Sequence, residues 1–144
     1  MRKKPANYYV QSAVIPYRFQ NNKLEILLIT SLNKKNWIIP KGIIEEGLSG
    51  ANSAAKEGFE EAGILGKVSD KQSGCYEYQK WGGTCKVQVF PFLVKNLIDN
   101  FPEAGVRERK WFFIDDAINQ IKNNQLKIVL KKFRINFQDI NAVK

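Results

Sequence analysis

The chain has 144 residues, a formal charge of +9 and no histidine. Its length suits one domain that buries about two-thirds of its unfolded surface, and we take residues 1–144 as that single domain. Without histidine there is no Ser-His-Asp or Cys-His catalysis, no H-E-x-x-H zinc site and no zinc deaminase centre. A general base must then be a carboxylate, a lysine, a tyrosine or metal-bound hydroxide.

The charge suits a polyanionic partner such as a nucleotide, an inositol phosphate or nucleic acid. A lysine-rich solvated surface accounts for it about as well. No apolar run reaches the ~18 residues of a membrane span. The basic start MRKKPANYYVQSAV lacks the apolar core of a signal peptide. The expectation is a cytoplasmic protein with no membrane partner.

In chain order, YYVQSAVIPYRF (8–19) and LEILLIT (24–30) predict a β-hairpin, with Pro16 at an edge or a bulge. Arg18 on the first strand is either a bidentate phosphate clamp or a solvated edge charge. After the polar loop SLNKKN, Trp37-Ile-Ile-Pro-Lys-Gly42 is a short strand entering a turn. Pro40 and Gly42 fix the backbone and allow close approach to a ligand. Lys41 stands where it can meet phosphate oxygens, and Trp37 is expected in the core rather than stacked on a base.

An acidic helix follows, capped by Ser49 or Asn52 and ended by Gly63. Ala51, Ala54, Ala55, Gly58 and Ala62 fall on one face without bulk, so the helix can lie very close to its neighbour. Glu57, Glu60 and Glu61 share the adjacent face at i, i+3 and i+4. The last helical turn favours cations, and the three carboxylates repel one another. A divalent cation would remove both objections, since Mg²⁺ takes hard oxygen ligands. By itself an E-x-x-E-E pattern is usually only a solvated helix face.

Residues 65–79 and 84–98 predict a second strand pair around the turn Lys80-Trp81-Gly82-Gly83, with Pro91 at a bulge. Cys75 and Cys85 flank this hairpin, where they can face each other, and are expected as reduced core thiols. The polar loop DNFPEAGVRERK (99–110) carries Glu103 and Glu108; WFFI (111–114) is a last strand, and DDAINQI a short helix with acidic residues at its favourable end. From residue 125, Leu126, Val129, Leu130, Phe133 and Phe137 recur at helical spacing. Between Lys122 and the terminus, Lys122, Lys127, Lys131, Lys132, Arg134 and Lys144 outnumber Asp139 and form a basic face. The whole reads as α/β.

The stretch Gly42 to Ile64 resembles the Nudix box, G-x5-E-x7-R-E-U-x-E-E-x-G-U, at Gly42, Glu57, Glu60, Glu61, Gly63 and Ile64. It departs at Leu48 (for Glu), Lys56 (for Arg) and Gly58 (for an aliphatic residue). In the family that Glu and Arg pair and brace the loop. The resemblance implies a Nudix fold, a mixed β-sheet sandwiched between α-helices. It implies attack of water on a phosphoanhydride with Mg²⁺ or Mn²⁺ as cofactor. Glu57, Glu60 and Glu61, with the Gly42 carbonyl, become the metal ligands. Glu57, Glu103 or Glu108 becomes the base, and Arg18, Lys41, Gly42 and the basic tail the substrate contacts.

Trp37-Ile-Ile-Pro-Lys-Gly and Arg109-Lys-Trp-Phe-Phe-Ile-Asp-Asp-Ala117 are similar to segments of diphosphoinositol polyphosphate and diadenosine polyphosphate hydrolases. That implies an inositol phosphate or nucleotide substrate. Two other readings stand beside it: a weak or inactive Nudix module that binds nucleotide or RNA, and an RNA 5′-pyrophosphohydrolase acting on RNA 5′ ends.

Overall fold

The computed structural model describes the backbone of residues 8–143 and the side chains of residues 8–137. The basic start of the chain, Asp139 and Lys144 lie outside the residues whose side chains are described. The elements are β1 (Tyr8–Gln20), β2 (Lys23–Thr30), β3 (Trp37–Ile38), β4 (Lys41–Ile43), α1 (Gly50–Ala62), β5 (Ile64–Val68), β6 (Gly74–Lys80), β7 (Gly83–Leu97), β8 (Arg109–Phe113), α2 (Ile114–Gln120) and α3 (Asn124–Val143). The strands form one mixed sheet of order β3-β2-β1-β7-β5, with β4 added to β1, β6 to β7 and β8 to β2.

Period-two alternation assigns the two faces. Val14, Leu27 and Ile29 point to one side and pack with Ala51, Ala54 and Ala62 of α1. Ala13, Ile15, Ile26 and Leu28 point to the other, against Ala117 and Ile118 of α2 and Leu126, Val129, Leu130 and Phe133 of α3. The tail is therefore the amphipathic helix its spacing predicts. Among the described residues no helix is long and apolar enough to cross a membrane.

The prolines need a different explanation from the one expected. β1 is not an edge strand; it runs parallel to β7 from Tyr8↔Thr84 to Tyr17↔Leu93. On its other side β1 pairs with β4 over Gln11–Ala13 and with β2 over Tyr17–Gln20. Pro16 falls at this change of neighbour. Val14 donates its N–H to the Pro40 carbonyl on that same side, 3.1 Å away. Alternation then puts the missing N–H of Pro16 where the ladder is already interrupted. Pro91 repeats the arrangement on β7, where β6 pairing ends at Val89 and β5 pairing begins at Phe92.

The stretch expected as one strand over 65–79 is two, β5 and β6, joined through residues 69–73. The cysteines do not face each other. Cys75 is exposed and pairs in register with Gln88, whereas Cys85 is buried opposite Tyr78.

Candidate active site

Helix α1 sets the site. Ser49, not Asn52, is its N-cap: Ser49 Oγ accepts the Asn52 N–H at 3.1 Å. Gly63 ends the helix in the left-handed region, φ +66°, a conformation a side chain would strain. The crowded acidic end is answered from another strand. Arg109 of β8 donates to the carbonyls of Ala62 (2.8 Å) and Ile98 (2.7 Å) and to Asp99 (3.0 Å). A guanidinium at the negative end of the helix offsets the unfavourable placement of Glu60 and Glu61.

Glu61 is only 7% exposed. It accepts the Lys41 backbone N–H at 3.2 Å, and Arg107 Nη2 stands 3.9 Å away. Burial pushes its carboxyl up to about 8 despite the pull of Arg107. Glu57 hydrogen-bonds to Glu61 and is also pushed up, by burial first and then by the charges of Glu60 and Glu103. Both shifts favour a proton on this pair. Both side chains line a cleft of about 210 Å³ with Gln11, Lys41, Gly42, Lys80 and Arg107. Glu60 does not line it; it is more exposed, 3.9 Å from Lys56. Among the described residues no three carboxylates or thiols converge on one point. The core of the site is thus the Glu57–Glu61 pair, with Glu60 alongside.

The Gly42 carbonyl expected as a ligand is committed elsewhere. Ile44 donates to Val10 (3.4 Å) and Val14 to Pro40 (3.1 Å). Gly42 is in register with Ser12, so alternation turns its peptide groups toward β1. The Lys41 N–H faces α1 and reaches Glu61, so the Lys41 carbonyl lies on that same edge. Gly42 has another role: a Cβ there would collide with the Glu57 carboxyl group.

These groups suit a divalent cation. The donors are hard oxygens, and a cation can replace the proton that the buried pair otherwise needs. Glu57, Glu61 and the Lys41 carbonyl are the groups that would hold it.

The remaining expected site residues divide. Lys41 lines the cleft, its Nζ 5.1 Å from the Tyr78 ring, with its pKa lowered by burial. Glu103 joins the site through Arg107, whose Nε donates to it at 2.7 Å. Glu108 is exposed and does not line the cleft; its backbone is engaged with Thr30. Arg18 is also elsewhere. It pairs with Glu25 at 2.7 Å and lies 4.0 Å over the Trp111 ring. It sits five residues beyond Ala13 along β1, about 17 Å at strand rise. In the tail, Lys127 caps the Ile118 carbonyl (2.9 Å) and Arg134 pairs with Asp115 (2.6 Å). Trp37 is half-buried, edge-on to Phe112 at 5.2 Å.

Besides Lys80, expected only as part of a turn, two site features escaped sequence reasoning. Arg107 ties Glu103, Glu61 and the Thr30 carbonyl (2.8 Å) together; its one local signal is the i, i+4 spacing from Glu103. Glu45 takes over the brace that Leu48 cannot make, meeting Lys56 Nζ at 2.7 Å. Its backbone N–H donates to Ser53 Oγ of α1 at 3.0 Å. Gly58 also has a reason: a Cβ there would come within 2.7 Å of Ile64 Cδ1, which fills that space.

The NUDIX domain model matches residues 9–133, and the chain belongs to the Nudix family. Nudix hydrolase 13 of Arabidopsis thaliana, named mitochondrial, is 28% identical over 149 residues, covering 88% of this chain and 74% of that protein. Diphosphoinositol polyphosphate phosphohydrolase 3-alpha of Mus musculus is 28% identical over 120 residues, covering 82% and 72%. The Ap4A hydrolase of C. elegans, solved as a binary complex, shares the fold with a TM-score of 0.73 at 22% identity over 91% of this chain and 98% of that one. The Nudix domain of Shewanella oneidensis NrtR, complexed with ADP ribose, superposes with a TM-score of 0.71 at 15% identity, covering 90% and 88%.

Proposed function

We propose that the chain is a divalent-metal-dependent hydrolase of phosphoanhydrides in nucleoside diphosphate-linked or polyphosphorylated substrates, with Mg²⁺ or Mn²⁺ as the ion. One observation carries this reading. Two neighbouring carboxylates, Glu61 buried and Glu57 half-buried, line one cleft together with Lys41, Lys80 and Arg107. Burying two like charges is costly for stability alone, but the arrangement suits an ion that links carboxylates to phosphates.

When bound, that ion neutralises phosphate charge and lowers the pKa of a water. Lys41, Lys80 and Arg107 receive the polyphosphate oxygens. Glu57, or Glu103 behind it, takes a proton from the attacking water. The water oxygen bonds to phosphorus, and the bridging oxygen leaves with a phosphate or nucleotide. Glu103 is the better placed of the two loop carboxylates, because Arg107 ties it to Glu61. The Glu45–Lys56 contact keeps the loop before α1 in place without the usual box Glu.

The test is a substrate panel on the full chain: Ap4A, a diphosphoinositol polyphosphate and ADP-ribose, with Mg²⁺, with Mn²⁺ and with EDTA. Turnover that needs the metal and collapses in Glu61→Gln is the expected result. Turnover unchanged in both Glu57→Gln and Glu61→Gln contradicts it. Nucleotide binding that persists in EDTA without product selects a binding module instead. Phosphate release confined to 5′-triphosphorylated RNA selects an RNA 5′-end enzyme.

A further inference from the structure

The hairpin joining β6 to β7 turns at Trp81-Gly82, both in the left-handed region, φ +58° and +69°. This is the geometry of a type I′ turn, whose first position normally holds Asn, Asp or Gly. A bulky residue with positive φ is an outlier that persists only where its surroundings enforce it. Burial does not explain it, because Trp81 is 50% exposed. Its indole is propped edge-on by Tyr9, ring centroids 5.0 Å apart, and both Trp81 and Lys80 line the carboxylate cleft. Lys80 Nζ lies 4.9 Å over the indole centroid, so a cation suited to phosphate is held on one face of the ring and the opposite face is the one a ligand can cover. Another wall of the cleft carries Ile43, itself 54% exposed. A strongly charged cleft is therefore lined by two half-exposed apolar side chains, one of them a flat aromatic ring.

We propose that Trp81 is a stacking platform for a nucleobase, and that it makes the preferred substrate a nucleotide rather than an inositol polyphosphate. This rests on the hydrolase reading above and narrows its substrate class. A base carries a planar π-face that an indole can cover, and its phosphates would extend past Lys80 toward Lys41 and Arg107. A ring bearing phosphates all round offers no such face, and its charge gains nothing from Trp81 or Ile43. The strained turn is then explained: an Asn at 81 would suit the hairpin better and leave the base without a platform.

The experiment compares Trp81→Asn and Trp81→Phe with the wild type, using Ap4A and ADP-ribose as base-containing substrates and a diphosphoinositol polyphosphate as the base-free one. In Trp81→Asn the KM for Ap4A or ADP-ribose should rise about tenfold or more with kcat little changed. Trp81→Phe should recover most of that loss. The base-free substrate should not respond, and Trp81→Asn should melt no lower than wild type, since the turn is relieved. A lower melting temperature with unchanged nucleotide KM makes Trp81 a clamp on Tyr9 and overturns the proposal. So does an equal change in KM for the base-free substrate. If no phosphoanhydride is turned over, the hydrolase reading has failed on its own. The platform is then judged by indole fluorescence: ADP-ribose should quench the wild type and not Trp81→Phe, and identical quenching would overturn it.

Discussion

Two clefts open near opposite ends of β1, and they differ in how their charges are matched. The larger, about 440 Å³, lies between the β1–β2 turn, α2 and α3. It is lined by Phe19, Phe113 and Phe137 and by four charged side chains of both signs, of which Arg134 pairs with Asp115 at 2.6 Å while Lys23 and Asp116 stand alongside. The smaller, about 210 Å³, has Glu57 and Glu61 crowded together beneath Lys41, Lys80 and Arg107. The larger cleft is the more spacious, and its charges, two of each sign, balance. The smaller sets a half-buried carboxylate, Glu57, against a buried one, Glu61, an arrangement that a cation would relieve. On the proposed reading, unmatched electrostatics rather than volume marks the working end of the molecule.

The most severe way to break this contrast is Glu61→Gln. A metal-held charge is worth several kcal/mol in a phosphoryl transition state, so hydrolysis should fall about a hundredfold or more at 1.36 kcal/mol per factor of ten. Steady-state rates on the best substrate check this. The same variant should alter the pH dependence of stability. Glu61 has its pKa raised on folding, so the native state holds a proton that the unfolded chain releases near the ordinary carboxylate range. The contribution of Glu61 to the stability of EDTA-treated protein should therefore be fully present below that range and be lost as pH rises toward about 8. Thermal melts across this window should flatten in Glu61→Gln, and Mg²⁺ or Mn²⁺ should restore stability at the alkaline end.

The two arginines sharpen the contrast further. Arg107→Met leaves Glu61 and Glu103 without a guanidinium that is itself 9% exposed. Breaking such a buried network costs about 3–5 kcal/mol, and activity should fall with it. Arg18→Met removes a partly exposed pair with Glu25. It should cost about 1 kcal/mol or less through that pair, plus some lost contact with Trp111, and leave kcat unchanged. Equal losses of activity in the two variants would erase the distinction between them. At the larger cleft, Arg134→Ala should shift the melt by no more than about 1 kcal/mol and leave hydrolysis intact. Smallest of all, Leu48→Glu with Lys56→Arg restores the usual box pattern and should change the rate little, since Glu45 already occupies Lys56.

Local chemistry made much of this legible in the sequence. The cap at Ser49, the left-handed stop at Gly63, the slim alanine face and the three glutamates all belong to one continuous helix. Their spacing alone fixes their relation. The alternation of β1 and β2 and the apolar stripe of α3 are likewise local patterns. What could not be read depends on strand order. Arg18 stayed open between a phosphate clamp and a solvated edge charge, because nothing local says that Lys41 to Ile43 pairs with Gln11 to Ala13, well short of it. Arg107 was hidden because its partners come from α1, from the loop at Glu103 and from the end of β2. Pro16 suggested an edge or a bulge and Pro91 a bulge, yet both sit where a central strand exchanges one neighbour for another. The carbonyl assignment at Gly42 failed for a similar reason, since only the pairing with β1 shows which way a peptide unit faces.

The central claim is that Glu57 and Glu61, with Glu60 beside them, take up a divalent ion in exchange for a proton. A Mn²⁺ titration at pH 8, followed by electron paramagnetic resonance, tests it most directly on wild type, Glu61→Gln and the Glu57→Gln/Glu61→Gln double variant. Saturable Mn²⁺ binding by the wild type, weakened in the single variant and abolished in the double, is the predicted result. The same Mn²⁺ affinity in all three proteins would contradict the account.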